Sequence, residues 1–396
     1  MDGIKYFPED LNIEGKIIIL RLDFNVPLVN KEIQDYTRIL TAIPFLKDLI
    51  RRKAKIIILS HLGRPKGEKR NELSLVPIYK YLKKQIGTNI FFFTGEINDE
   101  TKNKTSYLKP GEIILMDNIR FHKGETENDE TFAKKLASLG EIYINDAFSC
   151  SHRKQASIHK ITKFLKKSFA GPLLEKEIKA INLIIKERKE PVTCVIGGSK
   201  ISTKINVISK LMRNVNNIVI VGAMANNFLK HKGYKIGKSL IEEGSNNTID
   251  KIYSDAKKNK CGIIIPSDCN VSTSFEGTGV SKKQNSIKED EIILDIGPDT
   301  VKNIEDIIDK SSTVLWNGPA GYFENKNFFA GTYSIAKKIS DNTLNKSLIS
   351  ILGGGDTVSA INKIDIKLTF THLSTAGGAF LEYLEGKDLP GLSVLK

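Results

Sequence analysis

Two short stretches, KIIILR at residues 16–21 and KIIILS at residues 55–60, decide the fold. Each is an unbroken apolar run of strand length, which is typical of strands buried on both faces of a parallel sheet. Between them Ile39, Ile43 and Leu46 recur at steps of four and three residues, which predicts one buried face of a helix. A strand, a helix and a second strand in this order indicate parallel α/β layers.

The same alternation continues along both halves of the 396-residue chain. Further strands are predicted at IFFF (90–93), EIILM (112–116), EIYIN (141–145), VTCVIG (192–197), NIVIV (217–221), GIIIP (262–266), TVLW (313–316) and SLISIL (347–352). The interval after EIYIN contains no predicted strand, and residues 171–191, GPLLEKEIKAINLIIKERKEP, are predicted to form one helix. Pro172 suits its first turn, and the acidic-to-basic charge order, which ends with Lys186, Arg188 and Lys189, matches the helix dipole. We therefore predict two doubly wound, Rossmann-like α/β domains joined by this connector helix.

The composition excludes several classes of protein. Sixty Lys and Arg against 46 Asp and Glu give a net charge of +14, which favours anionic ligands. A hydrophobic content of 40% is too high for a disordered chain, and no apolar run approaches the roughly 20 residues of a membrane span. The acidic N-terminus, broken by Pro8, is unlike a secretory signal. Four cysteines without metal-ligand spacing indicate reduced thiols in a cytoplasm: Cys150, Cys194, Cys261 and Cys269.

Polar and cationic motifs follow the predicted strands of the first half. These motifs are RLDFNVP, HLGRPKG, DNIRFHKGE and NDAFSCSHRKQAS, and DYTRI begins a helix. A single arginine in such a place is usually a solvated surface charge. However, the carboxyl ends of parallel strands meet at one sheet edge, and guanidinium groups bind phosphate and carboxylate oxygens in pairs. The arginines therefore predict a site for a small, multiply anionic substrate.

Glycine-rich turns follow two strands of the second half. VIGGSKISTKI places Lys200 and Lys204 four residues apart, which predicts one helical face. They are either solvated charges or a pair compensated by a bound anion. SILGGGDTVSA opens a helix with Asp356 and Thr357, where Asp356 can hold a divalent cation or cap the helix. The absence of GxxxxGK[ST], GxGxxG, HExxH and GxSxG disfavours P-loop NTPases, dehydrogenases, zinc proteases and α/β-hydrolases.

Eight ordered motifs resemble those of the phosphoglycerate kinase family between about residues 16 and 392. They are RLDFNVP, HLGRPKG, NIRFHKGE, NDAF…SHR, GGSKISTKI, VLWNGPAGYFE, ILGGGDT and LEGKDLPG. The resemblance implies a bilobal kinase with a glycerate-binding domain at residues 1–170 and a nucleotide-binding domain at residues 171–379. It also implies that residues 380–396 pack back on the first domain. The implied reaction is the reversible, Mg²⁺-dependent transfer of a phosphoryl group between 1,3-bisphosphoglycerate and ADP, which gives 3-phosphoglycerate and ATP in glycolysis and gluconeogenesis.

The resemblance also assigns residues, motif by motif. The glycerate substrate would be held by Asp23, Asn25, Arg38, His61, Arg64, Arg120 and Arg153, with Arg38, Lys200 and Lys204 as the catalytic cations. The nucleotide would be held by Lys204, Asn317, Pro319, Glu324, Gly354, Gly355, Asp356 and Thr357, with Mg²⁺ on Asp356. Departures from the family pattern are Gln155, Thr203, Val221, Ala223 and Ala376. We expect a cytoplasmic monomer that acts on small molecules, with no nucleic-acid or membrane partner.

The residue types agree with this chemistry without the resemblance. A carboxylate or phosphate oxygen is already ionised at pH 7, so phosphoryl transfer needs cations and positioning but no general base. Substrates on separate domains also require closure, which excludes water. Two alternatives remain at this point: an α/β kinase or phosphosugar enzyme acting on a different acid, and a nucleic-acid-binding protein marked by its +14 charge.

Overall fold

The computed structural model describes residues 3–87 and 89–396. The chain divides into two compact units, Met1–Ile178 with Asp388–Lys396, and Lys179–Lys387. Within the described ranges, no helix is both long and apolar enough to cross a membrane.

The first unit contains a parallel sheet with helices on its faces. Its strands are β1 (Ile17–Arg21), β2 (Leu28–Val29), β3 (Glu32–Ile33), β4 (Lys55–Leu59), β5 (Ile90–Phe93), β6 (Ile113–Met116), β7 (Ile142–Asn145) and β8 (Ser168–Ala170). Its helices are α1 (Thr37–Arg51), α2 (Val76–Ile86), α3 (Asp99–Ser106), α4 (Lys123–Thr126), α5 (Glu130–Ala137) and the connector α6 (Pro172–Ile185), which the unit boundary crosses. The six-stranded sheet has the order β5-β6-β4-β1-β7-β8, and β2 and β3 form a separate hairpin.

The apolar periodicity explains this layer. Ile18 and Leu20 in β1 and Ile56 in β4 are fully buried, as expected for strands covered on both faces. Helix α1 buries Ile39 and Leu46 against them, which confirms the predicted helical face. Strand β1 lies between β4 and β7, so the segments that leave these three strands emerge side by side.

The second unit contains a parallel sheet and a small antiparallel one. Its strands are β9 (Val192–Ile196), β10 (Asn217–Ile220), β11 (Gly262–Ile264), β12 (Asp268–Ser272), β13 (Val280–Lys283), β14 (Ile292–Ile296), β15 (Thr313–Asn317), β16 (Ile349–Gly353) and β17 (His372–Ser374). Its helices are α7 (Ile205–Leu211), α8 (Met224–His231), α9 (Asn246–Lys258), α10 (Pro298–Asp309), α11 (Ala330–Asn345), α12 (Gly355–Ile361) and α13 (Gly377–Leu384), and α14 (Pro390–Ser393) lies in the tail of the first unit. The parallel order is β11-β10-β9-β15-β16-β17, and β13-β12-β14 is antiparallel.

The two parallel-sheet domains predicted from the sequence are confirmed, and all ten predicted strands are present. The expectation that the interval after residue 145 contains no strand is wrong, because β8 lies within it. Strand β8 has only three residues and pairs with β7 alone among the named strands. As a short edge strand it does not have the long apolar run by which the interior strands were predicted. The connector helix is shorter than expected and ends at Ile185, because the N–H groups of Lys186 and Glu187 share one carbonyl, that of Asn182.

The unit boundaries also differ from the predicted ones. The first division falls after residue 178 instead of 170, within α6, and the returning tail begins at residue 388 instead of 380. The second difference has a structural reason, because α13 packs against α7 inside the second unit. Only the last segment, with α14, belongs to the first unit, where Gly391 N–H donates to the carbonyl of Ser151 at 2.8 Å.

Candidate functional site

The carboxyl edge of the first sheet brings four predicted residues together. Nη1 of Arg38 lies 2.8 Å from Oδ2 of Asp23 and also donates to the main-chain oxygen of Asn25 at 2.8 Å. Oδ1 of Asn25 accepts the N–H of Gly63 at 2.9 Å, which joins the segment after β1 to the segment after β4. Nδ1 of His61 lies 3.8 Å from Oδ1 of Asp23. This edge therefore presents one carboxylate, one guanidinium and one imidazole in a single cluster.

The charges of the cluster fix its protonation. Burial raises the pKa of Asp23, but the charge of Arg38 and the Ser149 hydroxyl outweigh it and lower that pKa to about 2. Burial holds the pKa of His61 well below its ordinary value, and the neighbouring guanidinium groups add to the effect. At neutral pH this edge therefore carries an ionised carboxylate beside a neutral imidazole.

A buried hydrogen-bond network that the sequence did not reveal contacts this cluster through His61. Arg21 is fully buried, and its Nη2 lies 3.3 Å from Nδ1 of His61. Its Nε donates to Oγ of Ser157 at 3.1 Å, and Ser157 in turn donates N–H and O–H to the carboxylate of Glu125 at 2.8 and 2.6 Å. Arg21, Glu125 and Ser157 all lie in motifs quoted above, but sequence spacing gives no sign that they meet.

The other three predicted arginines of the first unit differ in their contacts and in their exposure to solvent. Arg120 donates to the carbonyl of Gly63 at 2.9 Å and to Oε1 of Gln155 at 3.4 Å, so it joins the segment that carries His61. Burial lowers its pKa to about 10, and repulsion from Arg21 and Arg153 acts in the same direction. Arg153 lies beside His152, with Nε 3.1 Å from Nε2 of that ring. Arg64 is exposed at the end of the loop after β4.

The prediction that Lys200 and Lys204 share a helical face is wrong. Helix α7 begins at Ile205, Lys204 is its N-cap residue, and Lys200 is exposed in the loop before it. The cause is a turn, in which Lys204 N–H donates to the carbonyl of Ile201 at 2.8 Å. The carboxylate of Glu242 accepts the N–H of Ser202 at 3.0 Å and stabilises the same turn. Hydrogen bonds from Ser202 lower the pKa of Glu242, and nearby Lys200 contributes.

The ends of β15 and β16 bring Lys204 to three further predicted residues. Nζ of Lys204 donates to Oδ1 of Asn317, whose Nδ2 donates to the carbonyl of Gly353 at 2.5 Å. Oγ1 of Thr357 accepts the N–H of Gly318 at 2.7 Å. Burial lowers the pKa of Lys204 to about 8, although the charge of Asp356 opposes the shift. The lysine therefore changes charge within the physiological range.

The glycine turn before α12 has a steric requirement. Gly354 has a φ of 108°, and a Cβ at this position would lie 2.7 Å from Nδ2 of Asn317. Any side chain here would displace the amide that Lys204 contacts. Gly354 is also the N-cap of α12, so the alternative that Asp356 caps the helix is wrong. The carboxylate of Asp356 is exposed in the first helical turn.

A cavity of about 340 Å³ lies beside these residues in the second unit. Its wall includes the apolar side chains of Leu229, Leu240 and Leu294, and its lining also contains the carboxylates of Glu324 and Asp356. A mostly apolar slot with a few polar groups suits a flat ring joined to a polar tail.

Comparisons with known proteins agree over nearly the whole chain. The family model described as phosphoglycerate kinase matches residues 9–387. A phosphoglycerate kinase of Wolbachia sp. subsp. Drosophila simulans is 44% identical over 390 residues, which cover 98% of both chains. Two solved phosphoglycerate kinase structures are also similar. The one from Coxiella burnetii has a TM-score of 0.87 at 36% identity, covering 98% of this chain and 97% of that one. The one from Pyrococcus horikoshii has a TM-score of 0.85 at 28% identity, covering 98% of each.

Proposed function

The chain belongs to the phosphoglycerate kinase family, and on that basis we propose that its first unit binds the glycerate substrate and its second unit binds the nucleotide. Its activity is the reversible transfer of a phosphoryl group between 1,3-bisphosphoglycerate and ADP, which gives 3-phosphoglycerate and ATP in glycolysis. The observation that carries this assignment is the clustering of Asp23, Arg38 and His61 at one sheet edge of the first unit. The cavity beside Lys204 belongs to the second unit. Family membership decides against an unrelated α/β kinase.

The polar edge of the first unit suits a glycerate substrate. Asp23 and the carbonyl of Asn25 hold the guanidinium of Arg38 in place at this edge, and a guanidinium in a fixed position suits a carboxylate or acyl phosphate. The neutral ring of His61 can donate a hydrogen bond from Nε2 to a substrate oxygen. Three further arginines would bind the distal phosphate: Arg64, Arg120 and Arg153.

The second unit supplies the nucleotide contacts. The apolar wall of the cavity takes the base, and Pro319 and Glu324 line it where the ribose would lie. Lys204, Asn317 and the main chain of the turn Gly354–Gly355 face the phosphates in this assignment, with Lys200 reaching them from its exposed loop. The hydroxyl of Thr357 already accepts the N–H of Gly318 and donates to the carbonyl of Gly353. We therefore assign the contact between Thr357 and the nucleotide phosphates to the main-chain N–H of Thr357.

The residues present fit a magnesium ion that arrives with the nucleotide. Mg²⁺ is usually held by one or two carboxylates together with substrate phosphates and water. The exposed carboxylate of Asp356 offers such a ligand at the edge of the cavity. The ion would neutralise phosphate charge there.

Catalysis then rests on cations and positioning. The acceptor carboxylate of 3-phosphoglycerate is ionised at pH 7, so the chain supplies no base. Arg38, Lys200 and Lys204 offset the charge on the transferring group, and direct transfer requires the two units to approach and exclude water. We propose that the chain does this as a cytoplasmic monomer that binds neither nucleic acid nor membranes.

Titration calorimetry on the full chain tests the division of labour. We expect 3-phosphoglycerate and ADP each to bind with one site per chain. In Arg38→Ala, binding of 3-phosphoglycerate should weaken at least about tenfold while binding of ADP is unchanged, because Arg38 and its partners Asp23 and Asn25 all lie in the first unit. Equal weakening of both ligands would contradict the assignment of the two units.

A further inference from the structure

The first unit also holds three metal-ligating atoms that the reaction does not need as a set. One carboxylate oxygen of Asp23, one ring nitrogen of His61 and Sγ of Cys150 all lie within 4.8 Å of one another. Nδ1 of His61 is 3.8 Å from Oδ1 of Asp23 and 3.8 Å from Sγ of Cys150. The three residues follow β1, β4 and β7, and their side chains are almost completely buried. A carboxylate, an imidazole and a thiol thus converge on one point from three separate segments.

Two of the three spacings, those from Nδ1 of His61, are close to those of a tetrahedral zinc site, whereas the carboxylate oxygen and the sulfur lie within 4.8 Å of each other. Zn–S bonds of about 2.3 Å and Zn–N and Zn–O bonds of about 2.0–2.2 Å place neighbouring ligand atoms roughly 3.4–3.6 Å apart. The atoms on either side of His61 therefore need to approach by only a few tenths of an ångström, about 0.2–0.4 Å. A thiolate and an imidazole select Zn²⁺, Co²⁺ or Cd²⁺, whereas Mg²⁺ requires oxygen ligands in octahedral geometry.

The ligand atoms of the cluster already face hydrogen-bond donors, and Oδ1 of Asp23 accepts the N–H of Asn25 at 3.0 Å. Nη2 of Arg21 lies 3.3 Å from Nδ1 of His61 and 3.8 Å from Sγ of Cys150. A guanidinium has only donors, so the nitrogen that faces it carries a lone pair, which that donor occupies. A metal ion would take the place of that one donor, while Arg21 keeps its bond to Ser157, behind which lies the carboxylate of Glu125.

We propose that Asp23, His61 and Cys150 bind a thiophilic dication such as Zn²⁺, with solvent as the fourth ligand, and that this binding inhibits the enzyme. As the sulfur–metal bond forms, the thiol S–H bond breaks and the proton passes to solvent. The site gains one net positive charge, which Arg21, Arg38 and Arg120 oppose, so its affinity is lower than that of structural zinc sites. The inhibition rests on the proposed function, because Asp23 and His61 are there assigned to the glycerate substrate.

Cobalt substitution tests the site without reference to activity. Co²⁺ added to the magnesium-free full chain should produce a sulfur-to-cobalt charge-transfer band that saturates at one equivalent. Cys150→Ser should abolish the band, and the matched control Cys261→Ser, which alters a buried cysteine of the second unit, should keep it. A band that is absent from the unaltered chain, or that survives in Cys150→Ser, overturns the proposal.

Ligand competition keeps the test decisive if Cys150→Ser does not fold. In the unaltered chain, zinc and saturating 3-phosphoglycerate should each remove the cobalt band. If calorimetry shows that 3-phosphoglycerate binds but the band remains, the metal lies elsewhere and the proposal fails. If 3-phosphoglycerate does not bind at all, the proposed function fails, and the presence of the cobalt band in the unaltered chain and its removal by zinc still test the metal site.

The inhibition is measured by chromatography of ADP, because coupling enzymes carry thiols of their own that bind zinc. With magnesium-ATP in fixed excess, zinc should inhibit the unaltered chain in competition with 3-phosphoglycerate. Without zinc, Cys150→Ser should have the same rate as the unaltered chain. It should require at least about tenfold more zinc for half inhibition. Equal sensitivity of the two proteins would contradict an inhibitory role for this cluster.

Discussion

At the scale of single residues, Lys204 is central to the proposed catalysis. Its ammonium is held by Asn317 at the junction of β15 and β16, beside the site assigned to the phosphates. Removing a preorganised donor that acts mainly in the transition state lowers kcat and leaves KM for ATP nearly unchanged. We predict this pattern for Lys204→Ala, with a loss of roughly 2–4 kcal/mol in transition-state stabilisation. Lys257→Ala, which removes an exposed lysine of α9, is the matched control and should leave both constants unchanged. A many-fold rise in KM with kcat preserved would instead make Lys204 a ground-state anchor.

The same residue predicts a pH dependence. Burial lowers the pKa of Lys204 to about 8, so the ammonium is charged below that pH and neutral above it. The value of kcat/KM for ATP, which reports the free enzyme, should therefore fall as pH rises through about 8. In Lys204→Arg the charge persists, and the alkaline limb should move to higher pH. An alkaline limb at the same pH in both proteins would assign the titration to another group.

Asp356 is expected to act through the metal. Asp356→Asn removes the carboxylate but keeps the size of the side chain, so the Mg²⁺ concentration for half-maximal rate should rise by about tenfold or more. Binding of ADP without metal should not weaken. Glu324→Gln, at the part of the cavity assigned to the ribose, should show the opposite pattern, with weaker nucleotide binding and an unchanged Mg²⁺ requirement. If the metal dependence is the same in Asp356→Asn and in the unaltered chain, Asp356 is not the metal ligand.

The sequence identified the polar edge of the first unit but not the contacts beneath it. The cluster of Asp23, Arg38 and His61 was predictable because parallel strands bring their carboxyl ends to one edge. The chain from Arg21 through Ser157 to Glu125 was not, because those residues are up to 136 positions apart and meet only through tertiary packing. Lys200 and Lys204 were misplaced for a related reason, since the long-range bond from Ser202 to Glu242 favours a turn over a helix.

At the scale of secondary-structure elements, the connector helix is anchored by a buried carboxylate. Asp146, directly after β7, accepts the N–H of Leu174 at 2.9 Å in the first turn of α6. Its Oδ2 has no hydrogen-bond partner among the residues that the structure describes, and burial raises its pKa to about 7. A Cβ on Gly171 would lie 2.5 Å from this carboxyl group, so only glycine fits before the helix.

This anchor makes the stability of the first unit depend on pH. Because the folded pKa of Asp146 lies above its unfolded value, its contribution is full below about pH 4 and is lost as pH rises to about 7. In urea denaturation followed by ellipticity, Asp146→Asn should remove this decline and raise the free energy of unfolding at pH 8, by at most about 4 kcal/mol. Asp295, a similar carboxyl group in the second unit with a pKa of about 7, remains as an internal control. An unchanged pH dependence of the first unit would contradict this account.

Interior elements were predictable because burial on both faces leaves long apolar runs. Most of the strands that the sequence did not reveal are short, edge or half-exposed, and the exception is β12, the buried central strand of the antiparallel sheet. Strand β17, HLS, is a three-residue edge strand, and β13, VSKK, is mostly exposed, so neither differs in composition from a loop. Pattern alone therefore identifies the two parallel sheets except for their edge strands β8 and β17, and it does not identify the small antiparallel sheet.

At the scale of the whole molecule, the chain ends belong to the same unit. Three leucines of the tail are almost completely buried, namely Leu389, Leu392 and Leu395, and the N–H of Lys5 donates to the carbonyl of Leu395 at 2.7 Å. At about 1.5–3 kcal/mol for each buried leucine, burial of the three side chains stabilises the first unit by several kcal/mol before the entropy cost of ordering the tail is subtracted. The family resemblance implied that the tail packs back on the first unit, but it placed the start of the tail at residue 380 and not at Asp388.

Truncation after Lys387 should therefore destabilise the first unit selectively. Trp316, the only tryptophan, lies in the second unit, so its fluorescence follows that unit while ellipticity follows both. We predict that the truncated chain loses the unfolding transition of the first unit and its binding of 3-phosphoglycerate, with the Trp316 transition and ADP binding retained. A parallel shift of both transitions would mean that the tail stabilises the whole chain instead of one unit.

The central claim is that this chain moves a phosphoryl group between ATP and the carboxylate of 3-phosphoglycerate. The most direct measurement incubates the full chain with magnesium-ATP, 3-phosphoglycerate and hydroxylamine, which traps an acyl phosphate as its hydroxamate, and quantifies ADP by chromatography. The account predicts equal amounts of ADP and hydroxamate, neither without 3-phosphoglycerate, and rates at least about tenfold lower in Arg38→Ala, a loss of ~1.4 kcal/mol or more. ADP released without hydroxamate, or at the same rate when 3-phosphoglycerate is omitted, would contradict it.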